Sequence, residues 1–233
     1  MADANRSQPR CPAQRLTATS GEEWMTIEID PLETQHSDLD DSFRRHGFER
    51  LRAAGAPIPA AELVATSPGG IESAQRTLDT LVQRGMAILE TEKLVAIDGL
   101  SVIPRQHRML LSGRRLFTWC AADAVGIPAA LGSDAEVKTV CPHCSAEIEI
   151  TIHAGVPRAD EELVLWLPTS SCSHVVTQFC PDVNFFCNRE HLDAWRSQRG
   201  EPEGRSLNAD EAAQLGRQWW AYLSPRWPEV QSR

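Results

Sequence analysis

The chain has 233 residues, a formal net charge of −9 at pH 7, and 42% hydrophobic and 24% charged residues. This apolar content is enough for a packed core and excludes a chain that is disordered throughout. The sequence contains no run of about 18 apolar residues, the length that a membrane-spanning helix needs. The acidic balance argues against general binding to nucleic acids, which usually requires a basic face.

Seven cysteines are present, an odd number that intrachain disulfides cannot pair completely. The first fifteen residues lack the apolar stretch of a secretory signal, so we expect a reducing, cytoplasmic location. In such a compartment thiols serve as metal ligands or catalytic groups rather than as crosslinks.

The first part of the chain predicts a flexible tail followed by a small helical region. Residues 1–36 are polar and aperiodic, with one short predicted strand at Met25–Ile29. Residues 37–104 form the predicted helical region. Its predicted elements are a helix with apolar residues from Leu39 to Leu51, a short helix after Pro59, a helix from Ile71 to Gly85, and a hairpin of Met86–Leu89 with Leu94–Ile97.

Three helices and a hairpin are typical of a winged-helix-like region, for which DNA binding is one possible function. The third helix, however, has Glu72 and Asp79 beside Arg76 and Arg84 and therefore no cationic stripe. A structural role is the favoured interpretation, and a nucleic-acid partner is not expected.

Residues 105–224 predict a mixed β-sheet core with flanking helices, and residues 225–233 a tail. The predicted elements are a helix over 114–126 that ends at Gly126, strands at Ala135–Val140, Ile148–Ile152, Leu163–Leu167 and Val183–Phe186, and helices at Arg189–Ser197 and Ala209–Leu223. Together with the helical front, this order predicts an α+β fold.

Cys120 and Asp123 are the first pair of residues that could carry chemistry. Placed three apart on a helix, they would share one face, and their mostly apolar neighbours predict a poorly hydrated space that raises the pKa of a carboxyl group. The alternative is a buried cysteine beside an unrelated surface aspartate. Cys180, at the end of an element, is a second candidate, with a buried structural thiol as its alternative.

Two motifs together resemble the alkylmercury lyases, also called organomercurial lyases. The first is Leu116–Asp123 (LFTWCAAD) followed by Ile127–Gly132 (IPAALG), and the second is Phe179–Cys180 followed by Val183–Phe186 (VNFF). The resemblance covers roughly residues 38–223. It implies the fold of this family, a winged-helix-like region followed by a mixed β-core, and it implies that Cys120, Asp123 and Cys180 form the catalytic set.

The chemistry of these residue types agrees with that resemblance. Soft thiolates bind Hg(II) strongly, and two of them on one mercury weaken its bond to carbon, which then needs a proton from a general acid. We therefore expect a hydrocarbon and Hg(II) bound by Cys120 and Cys180 as products, with Asp123 as proton donor. An organomercurial is the expected small-molecule substrate, mercuric reductase is the acceptor that the resemblance suggests, and no organic cofactor is expected.

A second group of residues has the spacing of a metal site. Cys141 and Cys144 form a CxxC knuckle, while Cys187 and His191 flank the start of a predicted helix, a common tetrahedral zinc arrangement. Cys141 resembles a cysteine often present in the family, whereas the other three depart from the family pattern. A structural zinc site is one interpretation, and unrelated thiols with a surface histidine are the other. A redox CxxC lacks the expected βαβ context.

If zinc is present, a rival function follows for the whole chain. It could be a zinc-binding scaffold, or a mercury-responsive winged-helix regulator, with a lyase-like fold. The reactive set argues against a scaffold, and the third helix, without its cationic stripe, argues against a regulator.

Overall fold

The computed structural model describes residues 38–169 and 173–224. Both predicted tails, including the strand at Met25–Ile29, lie outside these ranges. Six α-helices are found within the described ranges. They are α1 (Asp38–Ala54), α2 (Ala60–Ala65), α3 (Ile71–Gln83), α4 (Ala121–Leu131), α5 (Arg189–Ser197) and α6 (Ala209–Trp219).

Twelve β-strands are found in the same part of the chain, and every pairing between them is antiparallel. They are β1 (Ile58–Pro59), β2 (Ala87–Glu90), β3 (Lys93–Ile97), β4 (Leu100–Ser101), β5 (His107–Leu111), β6 (Arg114–Thr118), β7 (Ala135–Val140), β8 (Glu147–His153), β9 (Val156–Arg158), β10 (Val164–Pro168), β11 (Asn184–Phe186) and β12 (Gly204–Leu207).

These strands form two sheets. The larger has nine strands in the order β1-β3-β4-β6-β5-β7-β8-β9, with β2 also paired to β3, and the smaller has the order β11-β10-β12. Helix α4 contacts strands of both sheets as well as α6, and its residues 121–130 are all buried. The α+β fold predicted from the sequence is confirmed.

The front of the molecule matches the predicted order of three helices and a hairpin. The β2–β3 turn has Thr91 and Glu92 at φ of +48° and +60°, the left-handed pair that a two-residue hairpin turn needs. Strand β3 pairs with β4, and β4 pairs with β6, so the helical front and the rest of the chain share one sheet. A boundary near residue 104 stays a prediction.

The helix predicted over 114–126 is wrong. Residues 114–118 form strand β6, which pairs along its length with β5, and the helix begins only at Ala121. The apolar run in this segment suits either a strand or a helix. Residues 114–118 form a strand because they pair with β5, which was not predicted from the sequence.

The predicted end of that helix at Gly126 is also wrong, because the helix continues through Pro128 to Leu131 and is capped by Gly132, where φ is +62°. Gly126 lies where α4 and α6 approach most closely: a β-carbon built on Gly216 would stand 2.0 Å from the Cα of Gly126. The glycine serves close helix packing here rather than helix termination.

The last predicted helix is correct in place and shorter than predicted. Helix α6 ends at Trp219, and a 3-10 turn follows at Ala221–Leu223. Trp220 is buried and Trp219 is half-buried. None of the described helices combines the length and the apolarity needed to cross a membrane.

Candidate active site and a second cysteine cluster

Cys120 and Asp123 meet through the capping geometry of α4. Cys120 is the extended residue just before the helix, with φ of −144°, so its predicted place on the helix is wrong. Its backbone N–H donates to Oδ2 of Asp123 over 2.8 Å, which is half of a capping box. The short link between β6 and α4 therefore holds both side chains on one side of the helix start.

Cys180 reaches the same place from a segment about sixty residues further along the chain. It follows a π-helical turn at Val175–Phe179 and begins a 3-10 turn. The backbone N–H groups of Val175 and Val176 donate to carbonyls of the α3–β2 turn over 3.0 and 3.3 Å. The front of the molecule therefore braces the segment that carries Cys180.

A further backbone contact joins the two halves of the site. The N–H of Ala121, the first residue of α4, donates to the carbonyl of Val183 over 3.1 Å, and the N–H of Val183 donates to the carbonyl of Cys180 over 3.2 Å. The start of α4 and the Cys180 turn are thus linked through one residue.

The two thiols and the carboxyl group converge. The sulfur atoms of Cys120 and Cys180 and a carboxylate oxygen of Asp123 all lie within 4.8 Å of one another. The three residues are 1%, 3% and 5% exposed. The structure thus brings these three predicted residues together in a buried space, and we refer to them as the Cys–Asp–Cys trio.

Burial changes the acidity of all three groups. It raises the pKa of Asp123 to about 7, and the charge of Asp98 adds a smaller increase. The hydrogen bonds that the carboxylate accepts lower the pKa but do not offset the burial. Burial also raises the pKa of the Cys120 thiol. For Cys180, the hydrogen bond with Cys120 lowers the pKa of the thiol. Burial and the Asp123 carboxylate raise it, and the net result is a raised pKa. Near neutral pH the two thiols therefore keep their protons, whereas Asp123 is close to half ionised.

The turn between β3 and β4 supports Asp123 from the side. The N–H of Trp119 donates to the carbonyl of Gly99 over 3.0 Å, and Gly99, at φ of +88°, leaves no room for a β-carbon beside the Asp123 carboxyl group. This contact cannot be read from the sequence. The Asp-Gly pair between two apolar runs signals a tight turn, but not what lies beside it.

Asp98, the other residue of that turn, is the centre of a buried polar group that the sequence analysis also missed. Its carboxylate accepts from Nε of Arg44 over 3.0 Å and from the hydroxyl of Tyr222 over 2.6 Å, while its carbonyl accepts from the indole of Trp220. These contacts hold the turn against α1 and the C-terminal part of the described chain.

The second group of predicted ligands also comes together. Nitrogen and sulfur atoms of four side chains lie within 4.8 Å of one another, and we refer to them as the Cys3His cluster: Cys141, Cys144, Cys187 and His191. Sγ of Cys144 lies 3.7 Å from Sγ of Cys187, and Sγ of Cys141 lies 3.8 Å from Nδ1 of His191. The structure thus brings the four predicted residues together, while their role as metal ligands stays a prediction.

The loop before Cys180 adds no described ligand to either group. Cys172 lies outside the described residues. His174 is half-buried, pairs with Thr177 over 2.8 Å through its ring nitrogen, and packs against Gly85.

Comparison with known proteins gives one consistent result. The family model of the alkylmercury lyases matches residues 100–221, more than half of the chain. The alkylmercury lyase of Staphylococcus epidermidis is 26% identical over 184 residues, which cover 77% of this chain and 81% of that protein. The alkylmercury lyase of Streptomyces lividans is 27% identical over 176 residues, covering 72% and 77%.

A solved structure shares the fold. The mercury-bound form of MerB2 matches with a TM-score of 0.75 and 24% sequence identity, over 83% of this chain and 95% of that chain. This chain and that protein therefore have the same fold.

Proposed function

Because this chain belongs to the alkylmercury lyase family and is an enzyme, we propose that it cleaves the carbon–mercury bond of organomercurials by protonolysis. The products are a hydrocarbon and Hg(II). The observation that carries the proposal is the convergence of two buried thiols and one carboxyl group within 4.8 Å.

The pair of thiols supplies the affinity for mercury. Mercury is a soft metal, and thiolate is the softest ligand that a side chain offers. Two sulfurs close enough to share one ion can replace the ligand that the substrate brings and increase the electron density on the carbon. Water, a hard ligand, does neither.

The reaction begins with Cys120. Its sulfur displaces the weak ligand X of R–Hg–X, and its proton leaves with X, which gives R–Hg bound to Cys120. The Asp123 carboxylate then takes the proton of Cys180. The resulting thiolate adds to mercury as the second sulfur ligand.

Protonated Asp123 completes the cycle. It donates its proton to the carbon, whose electron pair comes from the breaking C–Hg bond, so that R–H leaves and Hg(II) stays between the two sulfurs. Asp123 is again a carboxylate. A carboxyl group with a pKa of about 7 suits this role because it both accepts and donates a proton near neutral pH.

The remaining parts of the proposal concern the surroundings of the enzyme. The five cysteines in the described ranges are free thiols, which agrees with a reducing compartment such as the cytoplasm. Hg(II) held by two thiolates must leave to another thiol pair, and mercuric reductase is the acceptor that the family resemblance suggests. The reaction as written needs no organic cofactor.

Methane release from methylmercury with excess small thiol tests the proposal directly. We expect turnover by the enzyme and a loss of about 10²–10⁴-fold in Asp123→Asn, the usual contribution of a general acid. Asp134→Asn is the matched control, because Asp134 is an exposed carboxylate paired with His153. No methane from the unsubstituted enzyme, or equal turnover in both variants, would overturn the proposal.

The same purified protein distinguishes the rival function. On α3, Arg76 pairs with Glu72 over 3.3 Å and Gln75 donates to Asp79 over 2.8 Å, so this helix presents acidic as well as basic groups. A DNA-binding regulator would shift a DNA fragment in a gel at low salt and release no methane. We expect the reverse.

A further inference from the structure

The Cys3His cluster shares no residue with the trio and has no part in the proposed reaction. Two ligands come from the turn between β7 and β8, and two come from the start of α5. Cys141 is buried, Cys187 and His191 are half-buried, and Cys144 is exposed. The four side chains therefore join two segments that are about forty residues apart, at a place where solvent can reach them.

Two distances within the cluster are close to the edges of a tetrahedron around one ion, and all four ligand atoms lie within 4.8 Å of one another. Zinc binds sulfur at about 2.3 Å and imidazole nitrogen at about 2.0–2.1 Å. A regular tetrahedron with these radii has S–S edges of about 3.8 Å and S–N edges of about 3.6 Å. The observed distances are 3.7 Å between Cys144 and Cys187 and 3.8 Å between Cys141 and His191. A disulfide, which needs an S–S distance of about 2.05 Å, does not fit.

The local backbone fixes the knuckle that carries Cys141 and Cys144. The N–H of Ser145 donates to the carbonyl of Cys141 over 2.9 Å and closes the knuckle.

The histidine is held just as firmly. Asn188 caps α5, and its side chain accepts from the N–H of His191 over 2.9 Å. This cap fixes the first turn of the helix, and with it the place from which the imidazole projects towards the three sulfurs.

We propose that the Cys3His cluster binds one Zn²⁺ ion. Three thiolates and one imidazole are a common ligand set for zinc in proteins, and four protein ligands leave no position open for substrate, so the site is structural. Metal binding displaces the thiol protons and joins the knuckle to α5. The ion needs neither the trio nor the lyase reaction, so the two proposals can fail separately.

The ion also has a consequence for the neighbourhood of Cys180. Cys187 directly follows β11, and β11 follows the Cys180 turn after a single residue, Val183, whose carbonyl binds the start of α4. A metal at the end of β11 therefore restricts the strand that continues from the Cys180 turn.

Metal analysis of protein produced with zinc and without mercury tests the site, because mercury would displace zinc from thiolates. We expect one zinc per chain by elemental analysis and by native mass spectrometry. Cys144→Ser and His191→Ala should each lose zinc, whereas His143→Asn, a matched change in the same knuckle, should retain it. Loss of zinc in His143→Asn would overturn the ligand assignment.

A second measurement needs no variant. After zinc is removed with a chelator and replaced by Co²⁺, the unsubstituted protein should show the strong visible bands of tetrahedral cobalt together with thiolate-to-cobalt charge transfer. Removing the metal should lower Tm by at least about 5 °C, and adding zinc back should restore it. Protein that takes up neither stoichiometric zinc nor tetrahedral cobalt under reducing conditions would overturn the proposal. Asp123→Asn should bind zinc normally, whatever its activity.

Discussion

Gly99 and Asp123 touch so closely that a β-carbon at position 99 would stand 2.5 Å from Oδ1 of the aspartate. The carboxyl group is held between this glycine and the N–H of Cys120, which donates to the other oxygen. The orientation of the proposed proton donor therefore depends on a residue without a side chain.

Gly99→Ala tests that dependence. The added methyl group has to displace the carboxyl group, and a misplacement of about 1 Å at a reacting group can cost about 10²-fold in turnover. We expect a loss of this size in methane release. Gly113→Ala is the control, because Gly113 has a similar φ of +78° and open space around the added carbon. Equal turnover in the two variants would contradict the prediction.

Asp123→Asn should be more stable than the unsubstituted protein above neutral pH. The folded-state pKa is about 7 and the ordinary value is 3.8. At a pH between these two values, Asp123 is ionised in the unfolded chain and protonated in the folded chain. The free energy of unfolding therefore falls as pH rises through this window. Asparagine removes the effect.

The expected gain above pH 7 is up to about 4 kcal/mol, and it should shrink as pH falls towards 4. Urea denaturation of both proteins across this range measures it. Asp134→Asn, which replaces an exposed carboxylate whose pKa is lowered by the N–H of Ala154, should show no such gain. A pH-independent difference between Asp123→Asn and the unsubstituted enzyme would contradict the assigned pKa.

Cys180→Ser should stop the reaction after the first sulfur has bound mercury. The hydroxyl group of serine is a poor ligand for a soft metal, so within the trio only the sulfur of Cys120 can hold the substrate. We expect a methylmercury adduct on Cys120 in mass spectrometry and no methane above background. Cys11→Ser is the control and should behave as the unsubstituted enzyme, because Cys11 belongs to neither group of predicted site residues. Methane release by Cys180→Ser would show that one sulfur is sufficient.

Gly216→Ala should destabilise the fold, although alanine normally favours a helix over glycine by about 0.5–1 kcal/mol. The new carbon would meet the backbone of Gly126 at 2.0 Å, and backbone cannot rotate away. Overpacking usually costs about 1–3 kcal/mol, and we expect at least the upper value.

For a chain of this size that cost corresponds to a fall in Tm of about 6–12 °C, which scanning calorimetry can measure. Gly47→Ala is the matched helical glycine. Its nearest contact is the flexible end of Ile97 at 3.0 Å, so its Tm should change little. A Gly216→Ala protein as stable as Gly47→Ala would show that α4 and α6 can move apart.

Local patterns in the sequence were sufficient where an element depends on its own residues. Arg189–Ser197 is a helix as predicted, because Asn188 supplies the cap and the apolar residues share one face. The Cys3His cluster was found in the same way, since a CxxC knuckle and a Cys/His pair at a helix start carry their own spacing signal.

The sequence was insufficient where distant parts decide the structure. Strand β6 depends on its partner β5, and nothing in the segment 114–118 indicates that partner. Likewise, no spacing rule brings Cys180 to Cys120 across sixty residues. That pairing came from the family resemblance, and the hydrogen bond from Ala121 to the carbonyl of Val183 is one of the contacts that hold the two segments together.

The burial of the trio also protects the resting enzyme. Alkylating agents and peroxides attack thiolates, whereas Cys120 and Cys180 are enclosed and keep their protons at neutral pH. Only an electrophile soft enough to exchange with a protonated sulfur has an advantage there. The same enclosed interior that suits the proposed cleavage should thus also spare the protein from the commoner reagents that would inactivate it.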